Sequence, residues 1–473
     1  MTFRVSVRML ARCVAAMLVV LFCGYAGRAQ SIKIPPHEKV VLKNGLTVLL
    51  LEKHGVPIVS IAALIKGGAA ADPVGQEGLA AQTAALLRKG TKKRTAQQFA
   101  ADLDFIGGSF EADAGADFTT ITAEFLTKDL AKGLDLFSDA LLQPTFPQEE
   151  VDKSLAQTLD GIKGLKDEPR QALNLYYNAY LYGGRGYGRP DDGDENSIQK
   201  LNRESVLKFY AAQYAPANTI LAIAGEFNAV ELRNQLETTF GAWPARQVAA
   251  VSIPAIAASK GKRLLLVDKP DASQTYFAIG NVETAVGDPD RVAIRVVNTI
   301  FGGRFTSMLN EALRVESGLT YGVRSSFDPR KQPGPYGIYT FTKNESTVQA
   351  MDMALQVLHK LHKEGVTAEQ LASAKSYIKG QFPPTIETSR ALAQRIASDE
   401  FYGLGDDEVN QLEARVDAVT PEIARQVIQK HFPEENLVFV LIGKASAIAP
   451  AVEKYADKRD TREISAPGFW TGN

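Results

Sequence analysis

Cysteine is confined to Cys13 and Cys23, both inside the first thirty residues, so the rest of the chain can form no disulfide, thiol nucleophile or thiolate metal site. Histidine is nearly as scarce, at five residues: His37, His54, His359, His362 and His431. Only His359 and His362 share a helical spacing, in LQVLHKLHKE (355–364). Lys360 and Lys363 crowd that pair, and Leu355, Leu358 and Leu361 form an apolar stripe facing away, so it reads as a solvated helix face rather than a metal site. The formal net charge is −1, with lysines and arginines spread along the chain, which excludes a nucleic-acid surface. No serine, histidine and aspartate arrangement is legible for nucleophilic catalysis.

There is one long apolar run, CVAAMLVVLFCGYAG, preceded by Arg4, Arg8 and Arg12 and followed by small residues up to Ala29. This order reads as a secretory signal over 1–29, cleaved after Ala26 or Ala29. The run is short for a full span, which weighs against an uncleaved anchor. Bulky Phe22 weighs against lipid attachment at Cys23. The expectation is an exported protein, periplasmic or secreted, with no membrane attachment after cleavage.

What is present is a full-sized globular chain: 473 residues, 45% hydrophobic and 23% charged, enough for two or three domains with complete cores. VVLKNGLTVLLLEK (40–53) alternates around Asn44-Gly45, a type I′ hairpin signature, and IVSIAALIKGG (58–68) is a further strand. EGLAAQTAALLRKGT (77–91) is helical, and Thr95 with Gln98 opens the next helix as a capping box. SFEADAGADFTTITAEFL (109–126) predicts two strands around Gly115, followed by helices at 128–142, 147–166, 170–182 and 202–213.

The chain then repeats itself. RESVLKFYAAQYAPANTILAIAGEF (203–227) is similar to PEIARQVIQKHFPEENLVFVLIGKA (421–445), with Asn218 and Gly225 matching Asn436 and Gly443 at one offset. Strands at 263–270 and 273–280, a helix at 288–301, a helix through Leu313 and strands near 321–327 and 335–343 repeat the earlier order. The spacing predicts an α+β protein of two homologous halves, 31–244 and 263–473, joined by a patternless linker at 245–262. Each half should carry a mostly antiparallel sheet with paired helices on one face, the two closing like a clamshell. YGGRGYGRPDDGD (182–194) lacks the context of a phosphate loop and reads as structural, while FGGRFTSML (301–309) places Gly302-Gly303 at a tight corner that borders the chamber or merely packs.

Several blocks in order carry a family resemblance: the Asn-Gly hairpin, GLA followed by KGT, the helix-Pro-Asn-strand-Gly block ending in FGAW (240–243), and LRVESGLTYGV (313–323). Together they resemble the insulinase/pitrilysin family of zinc metallopeptidases, in its mitochondrial-processing-peptidase-like branch, over nearly all of the chain past the signal. That family's metal motif is H-x-x-E-H on a helix, in which two histidines bind zinc and the glutamate serves as general base. Counting from Gly78-Leu79-Ala80, the motif positions here are Ala81, Ala84 and Ala85. The third ligand, a glutamate on a later helix, falls within TLDGIKGLKDEP (158–169), and alignment on Pro169 puts Gly161 there. Alanine binds no metal and moves no proton, so the resemblance implies a chain inactive alone and holding no zinc of its own.

The resemblance also implies that Arg314 and Tyr321 reach from the second half into a shared chamber and hydrogen-bond a substrate backbone. From spacing alone, Arg314 equally pairs with Glu311 or Glu316 while Tyr321 packs in a strand. The expected role is that of a non-catalytic subunit beside a zinc-bearing homologous peptidase subunit, enclosing extended peptide substrates. The alternative is a stand-alone periplasmic binding or scaffold protein, and a peptidase with relocated ligands has the least support.

Overall fold

The computed structural model describes residues 33–470. The segment expected to be a secretory signal, with Cys13 and Cys23, lies outside the described residues. The first half builds six strands: β1 (Glu38–Val41), β2 (Thr47–Glu52), β3 (Ile58–Lys66), β4 (Ser109–Ala114), β5 (Phe118–Leu126) and β6 (Thr219–Gly225). The second half builds β7 (Arg263–Asp268), β8 (Gln274–Val282), β9 (Val323–Phe327), β10 (Pro335–Lys343), β11 (Val438–Gly443) and β12 (Lys458–Glu463). Their orders are β1-β2-β6-β3-β5-β4 and β12-β7-β11-β8-β10-β9. Five positions therefore correspond, and in both sheets the late strand inserts in the same place, β6 between β2 and β3 and β11 between β7 and β8. The edge next to them differs: β1 joins β2 antiparallel through a hairpin, whereas β12 returns parallel to β7. Residues 244–259, between the halves, carry no helix or strand.

The first hairpin is not type I′. Gly45 has φ of 92°, but Asn44 is not among the residues with positive φ, and the Gly45 amide donates to Leu42 O. The loop is a tight turn closed by a left-handed glycine, one residue longer than the Asn-Gly signature implies. The capping box forms as expected, with the Thr95 hydroxyl accepting from the Gln98 amide. The two strands around Gly115 and the helices at Leu130–Leu142, Gln148–Asp167, Pro169–Tyr182 and Arg203–Gln213 also stand where the pattern puts them.

Strand alternation divides each sheet between two cores. Val48 and Leu50 of β2 join the helices of their own half, while Leu49 and Leu51 face a core built by helices of the second half. The sheets are thus covered on both faces, and each half lends the other a helix. Pro169–Tyr182 packs on β8 and β11, and Ser389–Tyr402 packs on β3 and β6. The loan is fixed by buried phenols: Tyr177 donates to Tyr336 O at 2.6 Å, and Tyr180 to Asp460 Oδ2 at 2.7 Å. In return, Arg390 donates to Ser109 Oγ at 2.7 Å on the first sheet's edge. The halves are closed on one another, with a shared core.

Candidate functional site

The helix Leu79–Leu86 starts at Gly78, whose φ of 90° and 2.6 Å clearance from Asp192 O admit no side chain. Asp72 supplies the cap that the sequence pattern did not reveal: its carboxylate accepts from the amides of Gly78 and Ala80, both at 2.8 Å. Ala81 and Ala85, one turn apart, then point with Gly161 into a single cavity of about 560 Å³. Ala84 does not join them and is fully buried. Gln82 ties the two helices that bear these positions, donating to Thr158 Oγ1 at 2.7 Å and accepting from Ser154 Oγ at 2.8 Å. Beside the cavity runs β4, an edge strand; among the described residues its outward main-chain groups have no hydrogen-bond partner.

The residues at the mapped metal positions do not fit zinc. Alanine and glycine offer no donor, and the polar side chains left in the wall are the amides of Gln82 and Asn178, the hydroxyls of Thr158 and Tyr187, the guanidiniums of Arg189 and Arg330 and the carboxylates of Asp113, Asp191 and Asp192, with no imidazole. The loop 182–194 is more than structural: it walls the cavity with Tyr187 through Gly193. Burial pushes the Asp191 carboxyl up to about 6, against the pull of Arg330. Elsewhere, Asp288, Asp290 and His431 lie within 4.8 Å of one another. Asp290 is already ion-paired to Lys430 at 2.7 Å. His359 and His362 both turn to Glu434, at 2.9 and 3.3 Å; His359 stays on the solvated face, 69% exposed, while His362 is tucked in at 10%.

Arg314 and Tyr321 line a second cavity, of about 550 Å³, in the other half. Arg314 stands on a π-helical turn, Glu311–Glu316, that ends before Gly318 at φ 64°. No ion pair to Glu311 or Glu316 forms; the guanidinium instead stacks 4.3 Å from the centre of the Phe305 ring. Tyr321 precedes β9 rather than lying in it, and is 82% exposed. Gly302-Gly303 does border this cavity, because a side chain at Gly302 would sit 2.4 Å from Ser325 Oγ. The outer edge of β9 is closed, unlike that of β4. The Ser325 amide donates to Gly302 O, and Asn310 both donates to Val323 O and accepts from its amide.

The described helices include none long and apolar enough to cross a membrane. Residues 47–191 match the family described as insulinase (peptidase family M16), and residues 200–378 match the peptidase M16 inactive domain. The chain is 26% identical to an uncharacterized zinc protease of Streptomyces coelicolor, over 72% of its length and 75% of the relative's. It is 26% identical to one of Mycobacterium leprae, over 83% and 90%. Among solved structures, it is similar to a peptidase M16 inactive domain from Pseudomonas fluorescens, with TM-score 0.81, 24% identity and coverage of 86% and 98%. A protease from Helicobacter pylori gives TM-score 0.80 at 20% identity, covering 87% and 100%. Two family regions matched in order, on a fold shared with these structures and around a motif helix stripped to alanine, make the chain a non-catalytic-type member of the insulinase (M16) peptidase family.

Proposed function

We propose that this chain is the non-catalytic subunit of an exported heteromeric zinc metallopeptidase. It pairs with a zinc-bearing homologue and helps enclose extended peptides, and Arg314 and Tyr321 complete the partner's site. One observation carries the reading: a metal-motif cavity kept in shape by Gln82 and Asp72 coexists with an arginine and a tyrosine that no group of their own chain engages through an ion pair or side-chain hydrogen bond among the described residues.

The zinc of the partner supplies the water-activating chemistry; this chain supplies positioned donors. A guanidinium presents a fixed fork of N–H groups and a phenol one O–H, a pair suited to a carbonyl that gains negative charge. The open edge of β4 offers main-chain pairing to an extended peptide with little sequence preference.

The test is reconstitution with an exported H-x-x-E-H homologue from the same source. Arg314→Ala and Tyr321→Phe should each lower turnover by about 10²–10³-fold while assembly is retained. Arg314→Lys, which keeps the charge without the planar fork, should stay impaired. Unchanged turnover with all three variants would leave the stand-alone binding or scaffold reading.

A further inference from the structure

We infer that the second cavity is a receptor for the clustered carboxylates of an acidic peptide segment. Four guanidinium groups line it, and they converge from separate places in the chain: Arg170 on the helix lent by the first half, Arg304 at the glycine corner, Arg314 on the π-helical turn and Arg324 on β9. The cavity wall contains no aspartate or glutamate. Among the described residues, none of the four has a carboxylate within 4.0 Å.

Each arginine is instead held by an aromatic face. Arg170 stacks over Phe341 at 5.9 Å, Arg304 over Tyr377 at 5.8 Å, Arg314 over Phe305 at 4.3 Å and Arg324 over Tyr339 at 5.0 Å, measured to the ring centres. A cation held over a ring face is attracted without being neutralised, so its N–H groups remain available to an anion. Arg304 shows that free capacity directly: one amino group donates to Ser373 Oγ at 2.9 Å, while its buried Nε has no partner. Four unneutralised charges around one cavity repel each other, and an anion relieves that repulsion.

The size and surroundings select a peptide over a single small anion. About 550 Å³ accommodates several residues, and exposed Phe305 and Tyr321 give the mouth apolar faces. Because the outer edge of β9 is closed by Gly302 and Asn310, a chain arriving here is gripped through its side chains rather than added as a strand. The assignment deepens the reading above by naming the substrate class, and its use in a shared chamber rests on that reading; binding itself needs only this chain.

The probe is a fluorescently labelled, amidated peptide with four alternating aspartates and glutamates, set against its asparagine/glutamine isostere, with the full chain in anisotropy titrations. The acidic peptide should bind at least about tenfold tighter, with affinity falling as salt rises. Arg304→Gln and Arg324→Gln should each weaken it about fivefold or more without changing the thermal midpoint, and the corresponding lysine variants should recover part of the loss. Equal binding of the isostere, or full affinity in both folded glutamine variants, overturns the assignment. Complete displacement by inorganic phosphate, with the phosphate bound more tightly than the peptide, overturns it in favour of a phosphate receptor. Failure of Arg314→Ala to affect turnover in trans would sink the subunit reading while leaving these titrations standing.

Discussion

If the first half retains the geometry of a metal site and lacks only the donors, replacing the donors should restore metal binding. The perturbation is the triple variant Ala81→His, Ala85→His and Gly161→Glu. The three positions line one cavity, and a Cβ at Gly161 meets nothing within 4 Å, so the new side chains enter open space. Two alanine-to-histidine changes in a helix cost about 1 kcal/mol together, and replacing a mid-helix glycine returns about 0.5–1 kcal/mol. The metal-free variant should therefore melt close to the parent. At a free zinc concentration 100 times Kd, binding should add about 2.7 kcal/mol of stability.

The assay is metal content after chelator treatment and zinc titration, with thermal melts in parallel. About one zinc per chain and a zinc-dependent rise in melting temperature are expected, the effect fading in acid as the histidines protonate. Ala84 is left in place, so binding should return without peptidase activity. A folded triple variant that takes up no zinc would refute the reasoning, because it would mean that the helices Leu79–Leu86 and Gln148–Asp167 no longer aim these positions at one point.

Gly161→Ala alone should stabilise the chain by about 0.5–1 kcal/mol in chemical denaturation, since the site is helical and its surroundings are open. Asp191 has its pKa raised to about 6 from 3.8, so it binds protons more readily folded than unfolded, and it should erode stability as pH climbs from about 4 to 6. Asp191→Asn should flatten that slope and be the more stable form at pH 7 by on the order of 1–3 kcal/mol; an unchanged pH profile would remove Asp191 as its cause. Tyr177→Phe removes the buried bond to Tyr336 O and should cost about 1–2 kcal/mol in a single cooperative unfolding transition. Two separate transitions in that variant or the parent would argue against a core shared between the halves.

Local signals made most elements legible, although the Asn44-Gly45 signature placed the hairpin and missed its turn type. The Thr95 cap, the apolar runs of β2 and β3, and the Asn218/Asn436 and Gly225/Gly443 repeat all state their own structure within a few residues. The repeat also foretold the common strand order, because equal elements in equal order make equal sheets. The motif positions were readable for the same reason: Ala81, Ala84 and Ala85 stand at fixed offsets from one turn. What escaped were properties decided by distant partners. That Tyr177 serves the opposite sheet depends on Tyr336, 159 residues away. The Asp72 cap precedes its helix by a loop rather than by one residue, so no offset rule finds it. The π turn that carries Arg314 looks like ordinary helix in the sequence, since EALRVE has no feature of composition that distinguishes the wider hydrogen bonding.

The two halves share a fold but have diverged in what their site edges can do. In the first, β4 keeps a free main-chain edge beside a cavity whose titratable wall groups include Asp113, Asp191 and Asp192. In the second, β9 is sealed by Gly302 and Asn310, and the cavity is walled by arginines stacked on rings. Duplication alone would leave both edges open or both closed. On the proposed reading, strand addition and charge recognition fall to different halves, and the lent helices fix the arrangement: Arg170 belongs by sequence to the first half but lines the second cavity, its helix anchored there by Tyr177 and Tyr180. Such a division would let the proposed subunit contribute to peptide handling without metal chemistry of its own, since gripping a main chain and sorting side chains by charge require fixed donors and acceptors but no reactive group.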